Sequence, residues 1–169
     1  MIALEYKVVH NIIWTKLKLF KINKTLDDIC LVCKEVTEDL IHMFFNCLDL
    51  LYLRMIIKEM LNDLLSTNVT EEDLKIYFLI GLQSKNNYQP YELVNLILTC
   101  ARISVYERRM KSLDSTTTIE IDVVKNVLKS SFIDVREYCK KNNINFIKKF
   151  ILPSLFISYE SNGSICIDI

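Results

Sequence analysis

Four side chains carry the clearest chemistry in this 169-residue sequence: Cys30, Cys33, His42 and Cys47, spaced C-x2-C-x8-H-x4-C. Two thiols two residues apart on a tight turn can aim both sulfurs at one centre. A histidine and a cysteine from a following short helix and its end can complete a tetrahedron. Thiolates and neutral imidazole suit the borderline softness of Zn(2+), and four protein ligands close its shell, so the expected metal is structural rather than hydrolytic. In such small modules metal binding is coupled to folding by on the order of 10 kcal/mol. The bland alternative is three buried cysteines and a core histidine, with Cys47 beside Phe44, Phe45 and Leu48. Three of the six cysteines fall within eighteen residues, and that clustering favours the metal. No carboxylate partner for the second ring nitrogen of His42 is evident from the sequence.

Other chemistry finds little support. The sequence has no dinucleotide glycine motif, no phosphate-binding loop and no His-Glu-x-x-His. His10, the only other histidine, lacks an identifiable nucleophile or acid partner. Glu71, Glu72 and Asp73 fit the first turn of a helix better than an acid–base site, and Cys100 and Cys139 fit core packing. The expectation is a non-catalytic protein without a small-molecule substrate.

Twenty-one basic and twenty-one acidic residues cancel, so attraction to nucleic acid must come from local clusters. The first cluster is Lys7, Trp14, Lys18 and Lys21, placed together if residues 4–20 form one helix, with His10, Lys16 and Lys24 nearby. An aromatic among cations can stack on an unpaired base while lysines meet phosphates. The second is Arg102, Arg108, Arg109 and Lys111 at the end of a later helix. Against both stand ordinary roles: a solvated lysine face, a buried Trp14 anchor, and basic residues that complement a helix C-terminus.

The elements that must position these residues read as mainly helical. Gly and Pro number two each, too few for a many-turned β architecture. Leu4 to Phe20 predicts a lead-in helix, with Val9, Ile13, Leu17 and Phe20 on one side. Thr37 starts a second helical signal, with Glu38 and Asp39 in its first turn. A break near Asn46 follows, and then an apolar pattern through Leu50, Leu51, Met55, Ile56, Met60 and Leu64. Thr70 and Asp73 resemble a capping box opening a helix to about Leu82. Pro90 suits the start of the next helix, Tyr91 to Leu113, stacking Leu93, Ile97, Ala101 and Val105. Residues 119–142 are helical again, with Val123, Val127, Leu128 and Val135 inward. Apolar β-branched residues flanking Asn162-Gly163 predict a C-terminal hairpin with a type I′ turn.

The run Cys30-Leu-Val-Cys33-Lys-Glu-Val-Thr-Glu-Asp-Leu-Ile-His42-Met-Phe-Phe-Asn-Cys47 resembles the zinc-binding segment that follows the reverse transcriptase in non-LTR (LINE-type) retrotransposon polyproteins. Ile13-Trp14-Thr-Lys-Leu17 and Leu26 are similar to that family's lead-in helix, and Leu98 to Arg109 resembles its downstream helix. The likeness covers roughly residues 10–110 and is specific only at the four ligands. It implies a C-terminal accessory region that helps the element's protein hold its RNA or target DNA. No polymerase or endonuclease segment is present in this sequence.

The expected architecture is thus mainly α: a helical domain with a small CCHC zinc knuckle near its N-terminus and a short C-terminal β-hairpin. Its parts are residues 1–65 with the lead-in helix and knuckle, 66–154 as a helical bundle, and 155–169 as the hairpin. The expected partners are RNA or DNA and the rest of the retrotransposon polyprotein, without a membrane. The location is intracellular, nuclear or cytoplasmic, since no secretory signal or span of about 20 apolar residues occurs. The rival expectation is a zinc-stabilised protein-interaction or scaffolding module.

Overall fold

In the computed structural model, residues 2–83, 90–111, 121–151, 157–160 and 164–167 are described. Their helices are α1 (Ile2–Val9), α2 (Lys16–Ile22), α3 (Leu51–Leu65), α4 (Glu71–Ile80), α5 (Pro90–Lys111) and α6 (Ile121–Lys141). Short helical turns lie at His42–Asn46, Leu48–Leu50 and Ile147–Ile151. Two strands, β1 (Ile157–Tyr159) and β2 (Ile165–Ile167), pair antiparallel with Ile157 opposite Ile167. The mainly helical architecture with a C-terminal hairpin is as expected, while the Asn162-Gly163 turn lies outside the described residues. Among the described helices none is long and apolar enough to cross a membrane.

Helix α5 is the spine. It contacts α3, α4, α6 and the His42–Asn46 turn, so its apolar residues face in several directions. Leu93, Val94, Ile97, Leu98, Cys100, Ala101 and Val105 are all buried, as befits a helix surrounded by others. Leu93, Ile97, Ala101 and Val105 thus form the expected stack, while Leu113 lies outside the described residues. On α6 Leu128 is buried and Val127 and Val135 are partly so. Phe132 of α6 meets Phe146 and Phe150 edge to face, with ring centroids 6.2 and 6.4 Å away, an arrangement the ring quadrupoles favour.

Helix α4 starts as its sequence dictates. The Thr70 hydroxyl accepts from the Asp73 amide at 3.1 Å, and the Asp73 carboxylate accepts from the Thr70 amide at 3.3 Å. That reciprocal box satisfies two otherwise orphaned donors.

The single lead-in helix over residues 4–20 is not formed. Asn11 takes a left-handed conformation at φ 51°. The Ile12 amide then donates to Lys7 O at 2.8 Å and the Asn11 amide to Val8 O at 3.0 Å, the paired bonds of a Schellman termination. The chain restarts at Thr15, whose hydroxyl accepts from the Lys18 amide at 3.4 Å. Trp14 therefore sits on the connection rather than on a helical face between Lys7 and Lys21. Of the expected apolar side, Ile13 is buried but Val9 is exposed.

The second expected helix also starts later. Thr37 pairs with Ile29 in an isolated antiparallel bridge, and the Asp39 carboxylate accepts from the His42 amide at 2.6 Å, so Asp39 caps from outside the helix. On α3 the buried side is Leu53, Ile57, Met60, Leu61 and Leu64, whereas Leu51 and Met55 face outward.

Candidate metal centre

The loop from Asp28 to Cys47 is shaped by backbone bonds before any side chain matters. The Glu38 amide donates to Asp28 O at 2.8 Å and the Cys30 amide to Val36 O at 2.8 Å, making a narrow two-stranded ribbon. The turn between them closes with the Lys34 amide on Cys30 O at 3.0 Å, and Lys34 itself is left-handed at φ 59°. Cys30 and Cys33 thereby come to the same side of the turn. The other two ligands are set by the π-helical turn His42–Asn46, whose wide bond runs from the Cys47 amide to His42 O at 3.0 Å. Such a turn brings residues five apart over one another, and it ends where the chain was expected to break, near Asn46.

The result is convergence. One atom from each of Cys30, Cys33, His42 and Cys47 lies within 4.8 Å of every other, and Cys33 Sγ is 3.4 Å from His42 Nε2. Bond lengths of about 2.0–2.3 Å to a tetrahedral ion require edges of roughly 3.5–3.8 Å. The cluster therefore needs a contraction of only about 1 Å at its widest pair to close on one cation. Cys30, His42 and Cys47 are buried and Cys33 is half-buried. Cys30, Cys33 and Cys47 are free thiols. A three-thiol, one-imidazole set of this size can hold a metal ion.

Electrostatics within the cluster are uneven. A hydrogen bond from Cys47, helped by the Cys33 and Val32 amides, holds the Cys30 thiol at about 5, well below its ordinary 9.0. Cys47, the donor of that bond and itself buried, is pushed up. One thiol is thus prepared as a thiolate while its neighbour keeps the proton.

The loop is tied to the rest of the molecule through carboxylates. Glu38 is fully buried, and its Oε1 accepts from Arg109 Nε at 3.0 Å, Arg109 Nη2 at 2.7 Å and the Lys16 amide at 3.0 Å. Arg109 also donates to Trp14 O at 3.0 Å. Arg108 pairs with Asp49 at 2.7 Å, two residues beyond the last ligand. Glu38, expected to complement a helix dipole, is instead a buried anchor joining the metal loop, α2 and α5. Its partner is 71 residues away, and no local signal could have pointed to it.

The residues considered for nucleic acid are distributed unevenly. Lys7, Lys21, Lys24 and Lys111 are exposed, and Trp14 is 58% exposed rather than a buried anchor. Lys24 lies 4.2 Å from the centre of the Phe20 ring. Lys16 pairs with Asp27 at 2.9 Å, which holds that carboxyl below its usual range. Lys18 braces the connection before α2 by donating to Asn11 O, Asn11 Oδ1 and Ile13 O. Arg102 is buried and donates to Phe78 O at 2.9 Å and Thr99 Oγ1 at 3.0 Å. Arg102, Arg108, Arg109 and Lys111 therefore do not form one surface patch: the first is turned into the fold, the next two are paired with loop carboxylates, and only Lys111 is exposed.

Comparison of the chain with protein families, with curated proteins and with solved structures returns no match.

Proposed function

We propose that the chain is a zinc-stabilised accessory module that holds single nucleic-acid segments, non-catalytic in itself. The observation that carries it is the convergence of Cys30, Cys33, His42 and Cys47 within 4.8 Å. The donor set fits Zn(2+) better than a hard cation because three of its atoms are sulfur. Bound there, the ion supplies cross-linking rather than Lewis-acid chemistry, since four protein ligands complete its shell. The reducing compartment that such thiols require is cytoplasmic or nuclear. The resemblance of the Cys30–Cys47 run to non-LTR retrotransposon proteins supports a role beside a reverse transcriptase, holding RNA or target DNA with the rest of that polyprotein as a further partner.

Native mass spectrometry tests the metal. One zinc per chain that leaves on chelation is expected, and a mass unchanged by chelation overturns the assignment. For nucleic acid, the accessible candidates are Lys7, Trp14, Lys21 and Lys24. Filter binding at low salt with the zinc-loaded chain is expected to show retention that fades as salt rises. No retention at low salt overturns this part.

A second reading, a helical interaction or scaffolding module, is favoured by a specific observation. Leu48, Leu51, Tyr52 and Met55 are all exposed at successive turns, and Arg108 and Arg109 are occupied within the fold. Replacing Lys21 and Lys24 by Glu separates the two: retention of RNA or DNA collapses under the first and is unchanged under the second.

A further inference from the structure

Two clefts adjoin beside α1 and the end of α4, one reaching α5 and the other α2 and the segment before His42. One, about 470 Å3, is bordered by Tyr6, His10, Gly81, Asn95 and Arg102. The other, about 390 Å3, is bordered by Asn11, Thr15, Lys18, Lys21 and Asp39. Val9, Leu79 and Ile80 border both, so the clefts meet along a shared apolar edge and make one trough. Each half is in the size range of small-ligand sites.

The lining has the parts that a flexible polyanion with flat rings requires. Tyr6 and His10 meet with ring centroids 4.3 Å apart and planes tilted by 42°, and Tyr6 is 58% exposed, leaving aromatic surface towards the first half. Arg102 backs the wall of that half from inside the fold, buried with its guanidinium bonded to Phe78 O and Thr99 Oγ1. At the other half Lys21 is exposed, and the Lys18 ammonium is steered by three neutral oxygens. Asp39 is the one acid among the described lining residues, and its carboxylate is engaged by the His42 amide. Cations in one half, exposed aromatic surface in the other and apolar walls between them match the grooves that carry single strands, where bases stack and phosphates meet positive charge.

We infer that this trough holds a single strand of RNA or DNA, one base lying against Tyr6 beside His10, with backbone phosphates at Lys18 and Lys21. The inference rests on the nucleic-acid reading above and assigns it to a place that includes Tyr6, a residue without a signal of its own in the sequence. The strand crosses the apolar edge of Val9, Leu79 and Ile80, which suits the sugar and base rather than the phosphate.

Fluorescence anisotropy on the zinc-loaded full chain tests it, with labelled oligouridylate and oligodeoxythymidylate as probes and a duplex as comparison. Tyr6→Ala is expected to weaken single-strand binding about ten-fold, and Lys21→Glu to weaken it further and flatten its salt dependence. Both side chains are at the surface, so unchanged circular dichroism verifies the fold, whereas Arg102→Ala disturbs the interior. The better of the two single-stranded probes identifies RNA or DNA as the source. Binding that survives Tyr6→Ala and Lys21→Glu but is lost in Trp14→Ala with Lys24→Glu overturns the trough and leaves the nucleic-acid reading standing. Duplex binding as tight as single-strand binding, or equal competition by polyglutamate, also overturns it. No binding by the wild-type chain overturns both.

Discussion

The bond from Cys47 to Cys30 makes the two thiols unequal, and the inequality has a consequence for metal uptake. Zinc takes thiolates and neutral imidazole, so loading expels protons and affinity rises with pH. Cys30, held at about 5, has already lost its proton at neutral pH, whereas Cys47, pushed up by the same bond, has not. Loading near pH 7 should therefore release fewer than three protons per ion. Calorimetry in buffers of different ionisation enthalpy counts them, and a value of three would show Cys30 to be an ordinary thiol in the metal-free chain. The sign follows from the direction of the shift. A depressed folded value contributes stability that is complete above the unfolded value of 9.0 and is lost as pH falls through about 5, so the metal-free loop weakens in acid on account of Cys30. Cys47→Ser keeps the side chain's size and removes a soft ligand. It should reduce zinc content from one per chain to a small fraction under native mass spectrometry, and full occupancy in that variant would remove Cys47 from the ligand set.

The same loop depends on a clasp between elements. Glu38 has no exposed surface, and its partner Arg109 is also buried. Pairs of this kind add little over an apolar substitute, but removing one member leaves a buried charge unanswered, at a cost of about 3–5 kcal/mol. Glu38→Ala should lower stability by that amount in a denaturant titration, while Lys16→Ala, which breaks a pair with the exposed Asp27, changes it by about 1 kcal/mol or less. Equal effects would mean that the clasp is not what holds α2 and the loop to α5. Another element-level constraint sits after α4. Gly81 has φ 80°, and a Cβ there would lie 2.9 Å from Asn95 Oδ1. That oxygen accepts the Leu82 amide at 2.8 Å while Asn95 Nδ2 donates to Leu82 O at 2.9 Å, so it has little room to withdraw. Gly81→Ala should cost about 1–3 kcal/mol, read as a lower denaturation midpoint. What was legible in the sequence was local: the Thr70–Asp73 box, the Pro90 start, the ligand spacing and the hairpin strands each lie within a stretch of eighteen residues or fewer. Asn11 followed by Ile12 is a helix-stop signal of the same local kind, masked by the apolar periodicity that runs through it. The Glu38–Arg109 clasp and the burial of Arg102 were not legible, because distant partners decide them and a basic residue looks the same in sequence whether it faces solvent or a carboxylate.

At the scale of the whole molecule the balance of charge sets how nucleic acid can be held. With 21 basic and 21 acidic residues, no long-range field gathers a polyanion, so binding must be a sum of a few contacts at close range. The fold reduces the supply further by pairing Lys16, Arg108 and Arg109 with carboxylates. In the trough the cations in reach are Lys18 and Lys21, since Arg102 is buried. Each phosphate neutralised on a single strand contributes about −0.7 to the slope of log affinity against log salt. Two contacts give a slope of about −1.4, shallow beside proteins that grip many phosphates, and the remaining affinity must come from stacking, which salt barely touches. The expected titration is therefore a modest decline with salt that levels at a residual, Tyr6-dependent affinity. Lys21→Glu should shift the slope by about one phosphate's share while Tyr6→Ala lowers the whole curve in parallel. A steep slope with no residual would place the strand on the open lysine face around Lys7 and Lys24 instead, where charge alone could hold it.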